Sequence, residues 1–184
     1  MTALDFFARW RVRLGYLLAV VALYLARPSI RSICLGAFVG AVGLAIRAYA
    51  AGYLHKQQIL TVTGPYARTR NPLYFGSSIL MIGAALAMNS WWVAALLFAY
   101  FTLVYTLVMR REEMELRLQH GAAFEAYAAA VPLFFPRLAS MEESSASSDS
   151  RFSWAQYQKN HEYQAAIGFA LLLIGLLVIW RLRP

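Results

Sequence analysis

Acidic side chains are scarce: nine Asp and Glu stand against 17 Lys and Arg in 184 residues. Cysteine is scarcer still, with Cys34 alone inside an apolar run. One cysteine excludes an intrachain disulfide, and it is expected to be a small buried side chain. His55, His120 and His161 lie far apart and lack ligand spacing, so no metal site is expected. There is no strand followed by Gly-x-Gly-x-x-Gly and no P-loop, which excludes a Rossmann dinucleotide site and a P-loop nucleotidase.

What is abundant is apolar sequence. Sixty per cent of residues are hydrophobic, 14% are charged, and the mean hydropathy is +0.51. A soluble domain is about 45–50% apolar, so the excess points to an integral membrane protein. The formal net charge of +8 would suggest nucleic acid in a soluble chain. Here the basic residues gather at the ends of apolar runs, as they do where spans are oriented and held against anionic lipid. Membrane lipids, not nucleic acid, are the expected partners, and the oligomeric state is open.

The hydropathy pattern predicts an all-α, polytopic membrane protein of about five spans, over residues 14–26, 33–54, 74–88, 91–109 and 165–180. Residues 1–13 carry no small-residue cleavage site, so the first span is expected to be retained. Pro28 ends it. In the second, Gly36, Gly40 and Gly43 lie near one face, a pattern that lets membrane helices approach closely. Asn89-Ser90 is short enough to fold the third and fourth spans into a hairpin, and Trp91-Trp92 suit an interfacial belt. The fourth helix is expected to leave the membrane and continue until Gly121 breaks it. Residues 1–138 form the core, 139–152 a low-complexity linker, and 153–184 an amphipathic segment with the last span. With the N-terminus cytoplasmic, 13 of the 17 basic residues fall inside, which sets the expected orientation.

Two segments carry chemistry, and both then face the cytoplasm. The first is "GPYARTRNPLYFG", residues 64–76, with two prolines, two arginines and two tyrosines between apolar runs. Gly64-Pro65 and Asn71-Pro72 are turn signals, and residues before proline are pushed toward extended backbone. The segment is either an ordinary positive loop or a rigid wall of a cavity, with Tyr66 and Tyr74 offering faces to a cation. The second is "RREEMELRLQH", residues 110–120. With Glu125 it holds four of the nine acids. Arg111 to Glu115 and Glu113 to Arg117 are possible i,i+4 pairs on a solvated helix. Alternatively, one of the adjacent Glu112 and Glu113 faces a pocket.

The run "LTVTGPYARTRNPLYFG", a short hairpin, and then "RREEMELRLQHGAAFEAYAAAVPLFFP" resemble the isoprenylcysteine carboxyl methyltransferases and the related phospholipid methyltransferases over residues 45–138. Asn71 stands where the eukaryotic branch has histidine, His120 replaces a phenylalanine and Phe124 a tyrosine. Val108 occupies the position of a substrate-side arginine, for which Arg110 or Arg111 would substitute.

The resemblance implies S-adenosyl-L-methionine bound at the cytoplasmic face without a Rossmann domain. Carried over by position, its site comprises Gln58, Ile59, Leu60, Thr61, Tyr66, Arg70, Asn71, Pro72, Leu73, Tyr74, Glu112 and Glu113. Arg110, Arg111, Glu113 and His120 are the catalytic candidates: an arginine for a carboxylate acceptor, Glu113 or His120 as base for an amine. The implied reaction is methyl transfer to a lipophilic acceptor drawn from the bilayer, a phospholipid amine or an isoprenoid or lipid carboxylate, with a small lipophilic thiol also open. The expected setting is a bacterial inner membrane. The competing reading is a non-catalytic scaffold or lipid-binding protein of the same architecture.

Overall fold

The computed structural model describes residues 15–55, 59–137 and 151–183. Helix α1 is Gly15–Leu25. It is followed by α2 (Ile30–Tyr53), a 3-10 turn (Gly64–Ala67), α3 (Pro72–Met88), α4 (Trp91–His120), α5 (Ala122–Ala130), α6 (Trp154–Lys159) and α7 (Tyr163–Leu182). Among the described residues there is no strand.

Helices α2, α4 and α7 are long and apolar enough to cross a membrane; α1 and α3 are shorter apolar helices. The 17 residues of α3 reach about 26 Å at ~1.5 Å per residue, short of the ~30 Å of hydrocarbon. The five expected apolar helices are therefore all present, but three of them have full spanning length. The fourth runs on without a break to His120 and stops at Gly121, as its sequence predicts. The expected linker lies outside the described residues as far as residue 150.

The exterior is apolar. Phe38, Trp91 and Leu171 are 71%, 91% and 62% exposed. Water would not tolerate so continuous a surface, whereas a bilayer covers it. Cys34, expected to be buried, is on this outer face. The inner face of α2 belongs instead to Ile33, Gly36, Gly40 and Gly43.

That glycine face brings α2 and α3 into backbone contact. A Cβ on Gly43 would lie 2.5 Å from Leu80 N and 2.8 Å from Gly76 O. A Cβ on Gly83 would lie 2.5 Å from Gly40 N and 2.7 Å from Gly36 O. No side chain fits between the two helices at these levels. Around this pair, Ala22, Ala26, Ile33, Ala87, Met88, Val93 and Leu176 form a core joining α1, α2, α3, α4 and α7.

Local signals fix the ends of the bundle. Ser29 and Ser32 form a reciprocal capping box at the start of α2. Ser32 Oγ also donates to Ala87 O (3.2 Å), and Arg27 N–H donates to Met88 O (2.8 Å). The α1–α2 turn is thus tied to the α3–α4 turn, where Asn89 adopts the left-handed conformation. At the opposite end, the carbonyls left unpaired at the C-terminus of α2 are met by the C-terminal segment. Ser153 N–H donates to Gly52 O (3.0 Å), Asn160 Nδ2 to Ala51 O (2.8 Å) and Leu54 O (3.0 Å), and Gln156 Nε2 to Leu54 O (2.5 Å).

The close approach of α2 and α3 is testable in detergent by thermal unfolding. Gly43→Leu forces backbone apart and is expected to destabilise the protein by about 1–3 kcal/mol or more. Gly168→Leu, where a Cβ meets nothing within 4 Å, should leave the transition nearly unmoved. Equal transitions for the two variants would contradict the packing described.

Candidate functional site

The site is built at the end of the bundle where α2 stops, α3 starts and α4 extends past its apolar part. Its frame is the segment 64–71. Gly64 has φ +58°, and a Cβ there would sit 2.5 Å from the Tyr53 ring. Glycine thereby escapes the extended backbone expected before Pro65. The 3-10 turn then presents Tyr66, and Pro72 opens α3 at its first position.

The polar backbone of this segment is paired with residues 127–137. Tyr127 donates its hydroxyl to Tyr66 O (2.7 Å). Thr69, which is 1% exposed, donates to Phe134 O (2.9 Å). Arg70 N–H donates to Pro132 O (2.9 Å), and Arg137 N–H to Arg68 O (3.1 Å). Asn71 does not cap α3 with its side chain; Nδ2 donates to Leu133 O (3.0 Å) instead. Phe124, Tyr127 and Val131 form a small second core beneath, packed on Leu60 and Leu116.

The glutamate pair meets this frame. Tyr74 donates its hydroxyl to Glu112 Oε1 (2.6 Å). Arg70 forms an ion pair with Glu113. The contact runs from Arg70 Nη1 to Glu113 Oε1, and the buried Arg70 Nε has no hydrogen-bond partner among the described residues. The expected Glu113–Arg117 pair does not form: Glu113 turns to Arg70, and Arg117 bonds Glu125 at 2.8 Å. The Arg111–Glu115 pair forms at 2.9 Å on the exposed face.

Between these elements lies a cavity of about 410 Å³, within the ~300–1,000 Å³ usual for small-molecule sites. Of the residues singled out from sequence, Ile59, Leu60, Thr61, Tyr66, Arg70, Asn71, Pro72, Leu73, Tyr74, Glu112, Glu113 and His120 all line it. Gln58 lies outside the described residues. Arg110 and Arg111 are exposed and are not among the lining residues. On the same stretch of α4, Glu112 and Glu113 line the cavity while Arg110 and Arg111 do not.

The cavity also contains residues that the motifs do not mark. Arg47 of α2 donates Nε and Nη2 to the Glu162 carboxylate, with bonds between 2.7 and 3.0 Å, and donates Nη1 to Ser77. Both Arg47 and Glu162 line the cavity. They are 115 positions apart in sequence, so no local spacing announces them. The one available signal is that Glu162 is a lone acid just before an apolar run.

Tyr66 is the least satisfied group. It is 7% exposed, lines the cavity, and its hydroxyl has no hydrogen-bond partner among the described residues. Burial, then the neighbouring Tyr127 and the carboxylates of Glu112 and Glu162, push its ionisation far above the usual phenol range. It therefore stays protonated and keeps its O–H as a hydrogen-bond donor. Among the described lining residues, Glu162 faces Arg47 and Glu113 faces Arg70, while Glu112 accepts from Tyr74 and Glu115 pairs with Arg111 outside the lining.

Known proteins were compared with the chain. It is similar to the nickel-cobalt-cadmium resistance protein NccN of Alcaligenes xylosoxydans xylosoxydans, 36% identical over 106 residues, covering 56% of this chain and 48% of that protein. It is also similar to the cobalt-zinc-cadmium resistance protein CzcN of Cupriavidus metallidurans, 35% identical over 106 residues, 56% of this chain and 47% of that protein. The chain thus spans about half the length of the curated relatives it matches. No solved structure matches. Residues 10–122 match the family model for phospholipid methyltransferases. That stretch contains α1 to α4, the 64–76 segment and the Glu112-Glu113 pair, and the chain belongs to the phospholipid methyltransferase family.

Proposed function

We propose that the chain transfers a methyl group from S-adenosyl-L-methionine to the amine of a membrane phospholipid, at the cytoplasmic face of a bacterial inner membrane. The observation that carries this reading is the cavity itself: an acidic, aromatic-walled chamber of cofactor size at the end of an apolar bundle.

The lining residues suit the cofactor's chemistry. It is a sulfonium cation with an aromatic base, ribose hydroxyls and a zwitterionic end, and bound there it supplies a methyl group on a good leaving group. Carboxylates and the faces of Tyr66, Tyr74, Phe124 and Tyr127 favour a cation. Leu60, Leu73 and Leu116 keep the chamber poor in water. The Tyr66 hydroxyl and Arg70 Nε are buried donors without a partner among the described residues, and a polar ligand would satisfy them.

An amine acceptor suits the charges better than a carboxylate. Arg70 already faces Glu113, and the two arginines singled out for a carboxylate acceptor, Arg110 and Arg111, are outside the lining. An amine must lose its proton before its lone pair can bond to a methyl group. Glu113 is engaged with Arg70, which leaves an imidazole nitrogen of His120 as the base on the cavity wall. The distribution of basic residues, with 13 of 17 on one side of the expected spans, supports the cytoplasmic placement.

Detergent-purified protein is expected to bind S-adenosyl-L-methionine by calorimetry. Glu112→Gln, which removes a charged hydrogen-bond partner, should weaken binding about tenfold or more. No binding by wild type would sink the proposal. With methyl-labelled cofactor and a total lipid extract, base-stable label in a headgroup amine is expected; label released as methanol by mild base would identify a carboxyl ester and overturn the amine assignment.

Tyr66→Phe separates stability from binding. It removes a buried hydroxyl that has no partner, a group whose burial costs about 1–3 kcal/mol. The ligand-free variant should melt at the same temperature or higher than wild type, and its cofactor affinity should fall. An affinity unchanged from wild type would remove Tyr66 from the site.

A further inference from the structure

Glu162 lies 40 positions beyond the stretch matched to the family, which ends at residue 122, yet it forms part of the cavity wall. It sits at the start of α7 and is gripped by Arg47 through three hydrogen bonds. The side chains are 19% and 10% exposed. Removing such a pair from water is expensive and adds little net stability. Nor is the pair required to dock the C-terminal segment, because Ser153, Gln156 and Asn160 already fasten α6 to the carbonyls of α2.

The pair also keeps capacity to spare. A guanidinium has five N–H donors, more than one carboxylate fork and one hydroxyl absorb. Arg47 reaches the cavity past Gly76, where a Cβ would stand 2.8 Å from its Cγ. The unpartnered Tyr66 hydroxyl shares the cavity and lies within electrostatic range of both Arg47 and Glu162. A cation and an anion side by side, with a buried hydroxyl donor in the same chamber, complement an α-amino acid zwitterion.

We propose that Arg47 and Glu162 form the subsite for the amino-acid end of the cofactor, the guanidinium taking its carboxylate and the Glu162 carboxylate its ammonium. This assignment rests on the methyl-transfer reading. It divides the cavity into two poles: Arg70 with Glu112 and Glu113 at one, Arg47 with Glu162 at the other. The C-terminal segment then completes the binding site as well as extending the bundle.

Two thioether ligands isolate the subsite. S-adenosylhomocysteine carries the amino-acid end, and 5′-methylthioadenosine lacks it. Binding of each to the full-length protein in detergent is measured by calorimetry. Wild type is expected to prefer S-adenosylhomocysteine by about tenfold or more, the scale of a charge-assisted contact. Glu162→Gln and Arg47→Gln should each reduce that preference to within about threefold, and each should bind methylthioadenosine within about twofold of wild type.

A preference retained in both variants overturns the assignment. So does loss of methylthioadenosine binding in both, which marks the pair as structural, and so does a wild type that binds the two ligands equally. Wild type that binds neither ligand overturns the methyl-transfer reading, and this subsite with it.

Discussion

The site depends on one constraint: the polar backbone of residues 64–71 lies against a protein whose exterior is apolar, and it must be satisfied from within. The partner is the strap of residues 127–137. Thr69, Arg70 and Asn71 are held by the carbonyls of Pro132, Leu133 and Phe134, and Tyr127 closes on Tyr66 O. A segment with two prolines cannot rearrange freely to meet a ligand. Its shape is set before binding, so Tyr66, Arg70 and Tyr74 are already aimed at the cavity. This accounts for the otherwise odd placement of Val131, Pro132 and Pro136 after a helix: the non-helical chain that follows offers the carbonyls of Pro132, Leu133 and Phe134 to the loop.

The frame is only as fixed as the helices beneath it. α3 begins at Pro72, immediately after the strapped segment, and is locked to α2 through glycines that admit no side chain between the backbones. Gly76 belongs to that seam and also makes room for Arg47. One small residue therefore serves both packing and site. The same α2 ends in carbonyls that α6 satisfies, which sets Glu162 opposite Arg47. The packing of the bundle thus decides which charges share the cavity.

Much of this was legible in the sequence, for identifiable reasons. The glycine spacing at 36, 40 and 43, the Asn89-Ser90 hairpin and the stop at Gly121 are local signals, and each produced the expected local structure. The cavity lining between residues 59 and 74 follows from turn chemistry and from the resemblance it carries. Charge pairing was less legible. Glu113 had two arginines within reach, Arg117 along its own helix and Arg70 from the loop, and tertiary packing chose Arg70. The burial of Cys34 was misjudged because an apolar neighbourhood implies an interior only when the solvent is water. Arg47 and Glu162 were out of reach altogether, since nothing in either local window refers to the other.

The charge distribution is the last step. A chain of net +8, placed at an anionic membrane surface as proposed, would gather its basic residues where lipid headgroups are. Four carboxylates collected in one chamber run against that trend. They are costly there unless paired: Glu162 faces Arg47, Glu113 faces Arg70, Glu115 pairs with Arg111, and Glu112 accepts from Tyr74. The field of these charges is focused by low-dielectric walls on whatever enters. On the proposed reading, a sulfonium and an amine both carry positive charge before reaction, and both would be drawn into the same small volume. Their mutual repulsion would be relieved only when the amine gives up its proton. Under that proposal an acidic chamber in a basic protein would concentrate both reactants and leave proton removal as the condition for bond formation.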